Sequence, residues 1–342
     1  MIVPLDPFAA VPAPHAACRI TVVIPARDEA ALIRRTLDAL AGQRDVDGSR
    51  FAPATFDVLV YANNCFDGTA EAVRAAAREH RDYAIYVAEE SLPPNVAHIG
   101  TARRTAMNAA AARFAAAGMT DAVLATTDAD TVPSPTWLAW TLREMEHVDV
   151  VTGRIRVDPV DWRALPETTR DMLVEEDRYH LAIAQLKTQL DPRPYDPWPR
   201  HWQRSGPSFA VRHAAYDAAG GVPPVRTLED IAFYDALDRS GARIRHSLRV
   251  RVATSARFQS RAAGGFGARI RAWHGLGELY RRLRVEDPEI TIARLRGEDV
   301  GAPSEYPACV PAAEATSVLR QLIARGVSDE RATRSNVSSI AG

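Results

Sequence analysis

Within its first 145 residues the chain runs four times from a short β-branched or apolar stretch into a segment whose apolar positions recur at helical spacing. The pairs are residues 19–25 with 29–40, 56–61 with 69–79, 83–89 with 100–117, and 122–127 with 135–145. This alternation constrains the fold more than any other feature. Strands joined through helices run parallel with right-handed crossovers, and helices then cover both faces of the sheet. An α/β fold with a Rossmann-like, doubly wound, mostly parallel sheet follows. Ligands of such sheets bind beyond the carboxyl ends of the strands, so the loops there are where chemistry is sought.

The second half is less regular. Residues 148–157 read as a long strand, 166–189 as a long helix, and 191–207 as a loop rich in proline and tryptophan. Residues 208–211 read as a return to the sheet, followed by helices at 214–219 and 228–240. Beyond about residue 284 the pattern fades, and 326–342 reads as a disordered tail. With 42 basic and 43 acidic residues the formal charge is -1, which argues against a nucleic-acid partner. Lys187 is the single lysine, so the positive charge is almost all arginine. Cys18, Cys65 and Cys309 lack metal-ligand spacing and suit a reducing compartment. Neither a signal peptide nor a stretch of eighteen apolar residues is present, so the expectation is a cytoplasmic protein without a transmembrane segment.

The fourth strand ends in "TTDADTVP". Residues i and i+2 of an extended segment share a side, so Asp128 and Asp130 place two carboxylates on one face. Like charges so close repel unless a cation joins them, and Mg²⁺ or Mn²⁺ takes one or two carboxylates while keeping sites for water and phosphate oxygens. A solvated acidic turn is the other reading of the same residues. The first strand closes in "VVIPARDEA" and the second in "YANNCFDGT", whose Asn63, Asn64 and Asp67 suit a ribose or base, or equally the cap of the next helix. Arg103 and Arg104 stand near the start of the third helix, where they could meet a diphosphate or simply face solvent.

Taken in order, "VVIPARDEA", "NNCFDGT", "ARRTAMN", "DADT", "GPSFAVRHAAYDAAGGVP" and "LEDIAFYDAL" resemble the motifs of the family-2 nucleotide-sugar glycosyltransferases, over about residues 19–262. The resemblance implies the glycosyltransferase-A fold, a nucleotide-diphosphate sugar donor and a divalent metal, Mg²⁺ or Mn²⁺. It implies donor contacts from Pro25, Ala26, Arg27, Glu29, Asn63, Asp67, Arg103, Asp128, Ala129 and Asp130, with Asp128 and Asp130 also on the metal. Arg103 takes the place of a diphosphate-side lysine, and Asp230 of the Glu229–Asp230 pair matches the base of inverting members. The implied organisation is a leader at 1–18, a nucleotide-sugar-binding half at 19–131, an acceptor-binding half at 132–262 and a C-terminal helical extension at 263–325. Two departures stand out. Ala62 and Asn63 occupy positions that are commonly acidic, which leaves the donor base open, and no tryptophan completes a processive signature around Gln259 and Arg261.

The acceptor is less legible. Trp198, Trp202, Arg204, Gly206 and Ser208 lie in or just after the aromatic loop, where flat rings suit a sugar face and arginine suits an anion; the same rings could equally pin the loop to the body. Both a small-molecule and a lipid-linked acceptor fit, because the amphipathic segment 267–284 could rest on a membrane surface or pack on the domain. His201, His246 and His274 are assigned no metal. The leading expectation is a non-processive, inverting, metal-dependent glycosyltransferase. Its competitors are a retaining enzyme acting on a small anionic acceptor, a sugar-phosphate nucleotidyltransferase, and a non-catalytic nucleotide-sugar-binding protein.

Overall fold

A computed structural model describes residues 6–258, 265–275, 284–298 and 309–325. In chain order the elements are β1 (Ile20–Ala26), α1 (Ile33–Ala41), β2 (Phe56–Asn63), α2 (Thr69–Glu79), β3 (Ala84–Glu90), α3 (Ile99–Ala116), β4 (Val123–Thr126), β5 (Thr131–Pro133), α4 (Trp137–Met145) and β6 (Val150–Val157). Then come α5 (Pro159–Ala164), α6 (Glu167–Leu190), β7 (Phe209–Arg212), α7 (His213–Ala218), α8 (Glu229–Arg239), β8 (Ile244–Thr254), α9 (Phe266–Gly275), β9 (Arg284–Glu286), α10 (Pro288–Leu295), β10 (Cys309–Pro311) and α11 (Ala312–Arg325). The tail at 326–342, Gln259 and Arg261 lie outside the described residues, as do the His274 side chain and much of the amphipathic segment.

The chain divides into two compact units, residues 1–163 with 203–269, and residues 164–202 with 270–342. In the second, α6 and the loop after it group with the C-terminal elements.

In the first unit an eight-stranded sheet has the order β3-β2-β1-β4-β7-β6-β8-β5. β1 pairs in parallel with β2 and with β4, β2 with β3, and β6 with β8. β7 runs antiparallel to both β4 and β6, and β5 antiparallel to β8. The sheet is thus α/β and mostly parallel, with the reversals confined to the half built after β4. Every residue of β1 and β2 is buried, which is why both strands read as near-continuous apolar runs.

The connection from β4 to β5 shapes this half. Five steps from Thr126 to Thr131 span at most about 18 Å of extended chain. Crossing four strand spacings of a flat sheet takes about 19 Å. A sheet that seats β7, β6 and β8 between β4 and β5 must therefore curl, with residues 127–130 crossing its open end. Asp128 and Asp130 lie on that crossing.

Behind β1 and β2, α3 packs through Ala102, Ala106, Met107, Ala110 and Phe114, whose mostly small side chains let the helix lie close to the sheet. The leader joins this core. Phe8 is 1% exposed and its ring centroid lies 6.2 Å from that of Tyr61. Arg113 of α3 donates to the Pro12 carbonyl at 2.9 Å and to Asp57 at 2.7 Å, and Asp57 also accepts from Thr21 at 2.6 Å.

In the second unit, Tyr179, Ala182 and Leu186 of α6 pack with Ala315, Leu319 and Leu322 of α11, each set spaced to lie along one helix face. No helix among the described residues is long and apolar enough to cross a membrane.

Candidate active site

The segment between β4 and β5 is fixed through its backbone. Thr131 N–H donates to the Asp128 carbonyl at 3.1 Å, Thr36 Oγ1 of α1 to the Ala129 carbonyl at 2.9 Å, and Ser255 N–H to the Asp130 carbonyl at 3.3 Å. With the backbone held on three sides, the two carboxylates have little freedom to move apart. Burial and the neighbouring Asp128 carboxylate push the Asp130 pKa up to about 7, an effect that Arg257 partly offsets.

Arg103 lies beneath this loop, 3% exposed. Its Nη2 donates to Asp128 at 2.8 Å, Nε to Glu229 at 3.1 Å, and Nη1 to Thr126 Oγ1 at 2.5 Å and the Gly206 carbonyl at 3.5 Å. Burial alone would lower the pKa of this guanidinium, but the Asp128 and Glu229 carboxylates outweigh it and hold the positive charge. Glu229, buried at the first turn of α8, is pushed up by burial, with Arg103 acting against the rise. Asp230 is more accessible. It accepts the Gly206 N–H at 2.9 Å on one oxygen and the Ile231 N–H at 2.8 Å on the other. Asp128 and the Glu229–Asp230 pair, read from separate motifs, therefore meet around one arginine.

The loops after β1 and β2 are stitched together. Asp67 accepts the N–H groups of Ala30 at 2.9 Å and Thr69 at 3.0 Å, Glu29 N–H donates to Thr69 Oγ1 at 2.8 Å, and Phe66 N–H to Asp28 at 2.7 Å. Asp28 and Asn64 both take left-handed backbone conformations, which short polar residues tolerate better than branched ones. Pro25, Ala26 and Asn63 are buried at the strand ends, while Arg27 is exposed and reaches the Ala97 carbonyl at 3.3 Å. Glu29 is buried and forms a two-point ion pair with Arg257, at 2.8 Å for Nη1; Arg257 Nη2 also reaches Asp130 at 3.1 Å. Arg257 is a residue of this cluster that the sequence motifs do not single out. Its one signal was its position just past the strand that borders β5.

The residues expected at the acceptor are divided between the two units. Trp198 and Trp202 belong to the second unit, where Trp202 stacks on His180 at 4.3 Å and donates to Asp177 at 2.8 Å. Beside them Arg200 donates to Asp196 and Thr188, each at 3.0 Å, so this loop is anchored on α6. In the first unit Ser208 is buried and accepts from Trp137 Nε1 at 2.9 Å, and Arg204 pairs with Asp235 at 3.0 Å over the Tyr234 ring. Of the three in the first unit, Gly206 touches the charged cluster.

Arg103 takes one oxygen of Asp128 and Arg257 one of Asp130, and no other side chain among the described residues bonds either carboxylate. An aspartate whose pKa is raised by burial and by a second carboxylate beside it is a donor set that a hard divalent cation fits, provided that water and phosphate oxygens complete its shell. The proviso matters, because no group of three His, Cys, Asp or Glu among the described residues is placed to hold a metal.

The sequence pattern of "Glycosyl transferase family 2" matches residues 21–202, more than half of the chain. No curated protein matches it. Among solved structures, the mannosyltransferase PcManGT from Pyrobaculum calidifontis in complex with GDP-Man and Mn²⁺ is 19% identical, covering 91% of this chain and 82% of its own with a TM-score of 0.46. Glucosyl-3-phosphoglycerate synthase from Mycobacterium tuberculosis, in complex with Mn²⁺, UDP and glucosyl-3-phosphoglycerate, is 19% identical over 88% of this chain and 93% of its own, with a TM-score of 0.38. S. aureus TarS 1–349 is 17% identical over 70% of this chain, with a TM-score of 0.45; this chain spans 60% of that one and 36% of a longer TarS chain.

Proposed function

The chain belongs to glycosyl transferase family 2, the nucleotide-sugar transferases, and from that premise we propose that it is a metal-dependent, non-processive, inverting enzyme of the cytoplasm that moves a sugar onto an acceptor hydroxyl with Asp230 as base. The observation that carries this reading is the ion network in which Arg103 joins Asp128 to Glu229, since it sets the donor-side aspartate beside the Glu229–Asp230 pair.

Asp128 and Asp130 are the residues that would hold a divalent ion. Bound there with the diphosphate, the ion supplies Lewis-acid stabilisation of the leaving group. Arg103 orients Asp128 from below, and its buried charge favours the negative charge that grows on the diphosphate. Arg257 keeps Glu29 and Asp130 together at the edge of the loops after β1 and β2, where the nucleoside would lie.

In the transfer the acceptor oxygen bonds to the anomeric carbon from the face opposite the diphosphate. The bond to the diphosphate oxygen breaks with its electron pair, and the hydroxyl proton passes to Asp230. Backbone N–H groups from Gly206 and Ile231 hold this carboxylate in position while leaving lone pairs for the proton. The configuration at the anomeric carbon is inverted.

The test is a thermal-shift and calorimetric screen of nucleoside diphosphates and nucleotide sugars with Mn²⁺, Mg²⁺ or chelator. Stabilisation by one base that requires the cation supports the reading, and the anomeric configuration of the product, followed by NMR, checks inversion. A flat response to every nucleotide rejects it.

A further inference from the structure

Arg103 has a neighbour whose contacts point to a second task for α3. Gly100, Arg103 and Arg104 fall at i, i+3 and i+4, on one face of the helix, and that face meets the loop leading into Glu229 and Asp230. At the loop's end, Arg103 binds Glu229 at 3.1 Å. At its beginning, Arg104 Nη1 donates to the Val222 carbonyl at 2.6 Å and the Gly220 carbonyl at 3.1 Å. Between them Gly100 lies against the backbone of Val225, so closely that a β-carbon on it would fall 2.1 Å from the Val225 carbonyl oxygen. Arg226 closes the far side on the Asn95 carbonyl at 3.2 Å.

Past the buried Val222 the loop has little to hold its own course. Residues 224–228 are exposed, Gly220 and Gly221 both have left-handed φ angles, and Leu228 stands 59% exposed at φ 57° immediately before Glu229. A leucine disfavours the left-handed conformation, so neighbouring contacts must impose it. Contacts from α3 and from the segment just before it hold the loop upstream of Leu228, at Gly220, Val222, Val225 and Arg226.

We propose that Arg104 is a positioning residue for Asp230. It anchors the glycine-flanked start of the 220–228 loop, so that Asp230 stays against the Gly206 N–H while Arg103, one residue earlier, holds Asp128 from the same helix. This rests on the reading of Asp230 as the base. The donor aspartate and the base then share one rigid mount, and at the loop's beginning Arg104 ties the backbone to α3 alongside the buried Val222 and the Gly221 N–H bond to the Tyr216 carbonyl.

The experiment compares the full chain with Arg104→Met, which keeps the apolar stem, and Arg104→Lys, which keeps the charge and N–H donors on a single ammonium. Amide hydrogen exchange, the affinity for Mn²⁺ with UDP or GDP, and steady-state turnover of the nucleotide sugar found in the donor screen are measured on each. In Arg104→Met, exchange at 220–228 should quicken about tenfold or more while β1 and β4 amides stay protected. Nucleotide affinity should hold within about twofold and kcat should fall about 10–100-fold, as expected when a reacting group shifts by an ångström. Arg104→Lys should recover part of the loss. Unchanged exchange in the loop overturns the anchor, and faster exchange with unchanged kcat overturns the link to Asp230. If the unsubstituted protein turns over no nucleotide sugar, the transferase reading falls and takes this role of Arg104 with it, whereas a failure confined to the variants leaves that reading intact.

Discussion

A β-carbon on Gly206 would fall 2.5 Å from Nη2 of Arg103, so the backbone of residue 206 reaches both Arg103 and Asp230 because no side chain stands between them. Gly206→Ala should push the guanidinium and the Asp230 carboxylate apart. The expected result is a fall in kcat of about 10–100-fold with nucleotide affinity little changed. Steady-state kinetics alongside calorimetry checks the split, and an equal loss in both would show that the glycine serves donor binding.

Arg103 pairs with two carboxylates inside the protein. Arg103→Met removes the cation and leaves Glu229 buried without it, which should cost about 3–5 kcal/mol of stability. Urea unfolding of the metal-free protein measures this. Arg103→Lys should restore only part, because one ammonium cannot reproduce the fork that reaches Asp128, Glu229 and Thr126 together.

Asp128→Asn and Asp130→Asn should each abolish the cation-dependent part of nucleotide stabilisation. For the unsubstituted protein at a hundredfold excess over the dissociation constant, that stabilisation is about 2.7 kcal/mol. The thermal shift with Mn²⁺ and the matching nucleoside diphosphate should collapse to the value in chelator. A shift that survives in both variants would remove the aspartates from the metal site.

The pH dependence follows from Asp130, whose pKa rises from 3.8 to about 7 on folding through burial and the Asp128 charge. Between those values the folded chain holds a proton that the unfolded chain has released. On this group's account stability therefore falls as pH climbs from about 4 to about 7 and is level above. In chelator, denaturation at pH 5, 6, 7 and 8 should show this slope, and Asp130→Asn should flatten it. Affinity for Mn²⁺ should run the other way over the same window, since the cation displaces that proton.

Much of the first half was legible in the chain. The pairing of β1, β2, β3 and β4 follows from runs such as "ITVVIPA" and "FDVLVYAN", which are apolar on both faces and punctuated by short polar loops. The position of Asp128 and Asp130 beyond β4 follows from the same pattern. Harder to read was the second half, where β7 returns antiparallel between β4 and β6, and where α6 packs with α11. Periodicity marks the apolar face of a helix such as α6 but does not name the surface that covers it.

What the sequence determined by itself was the alternation of strand and helix, and with it the end of the sheet where polar loops would gather; both follow from local spacing, which sterics and burial translate directly into structure. Only the tertiary structure decided which charges meet. Arg103 turns inward to Asp128 and to Glu229, 126 residues away, and Arg257 reaches Glu29 across 228 residues. Those pairings depend on the curl that carries residues 127–130 across the sheet's open end, and a curl is a property of all the strands together rather than of any one stretch of chain.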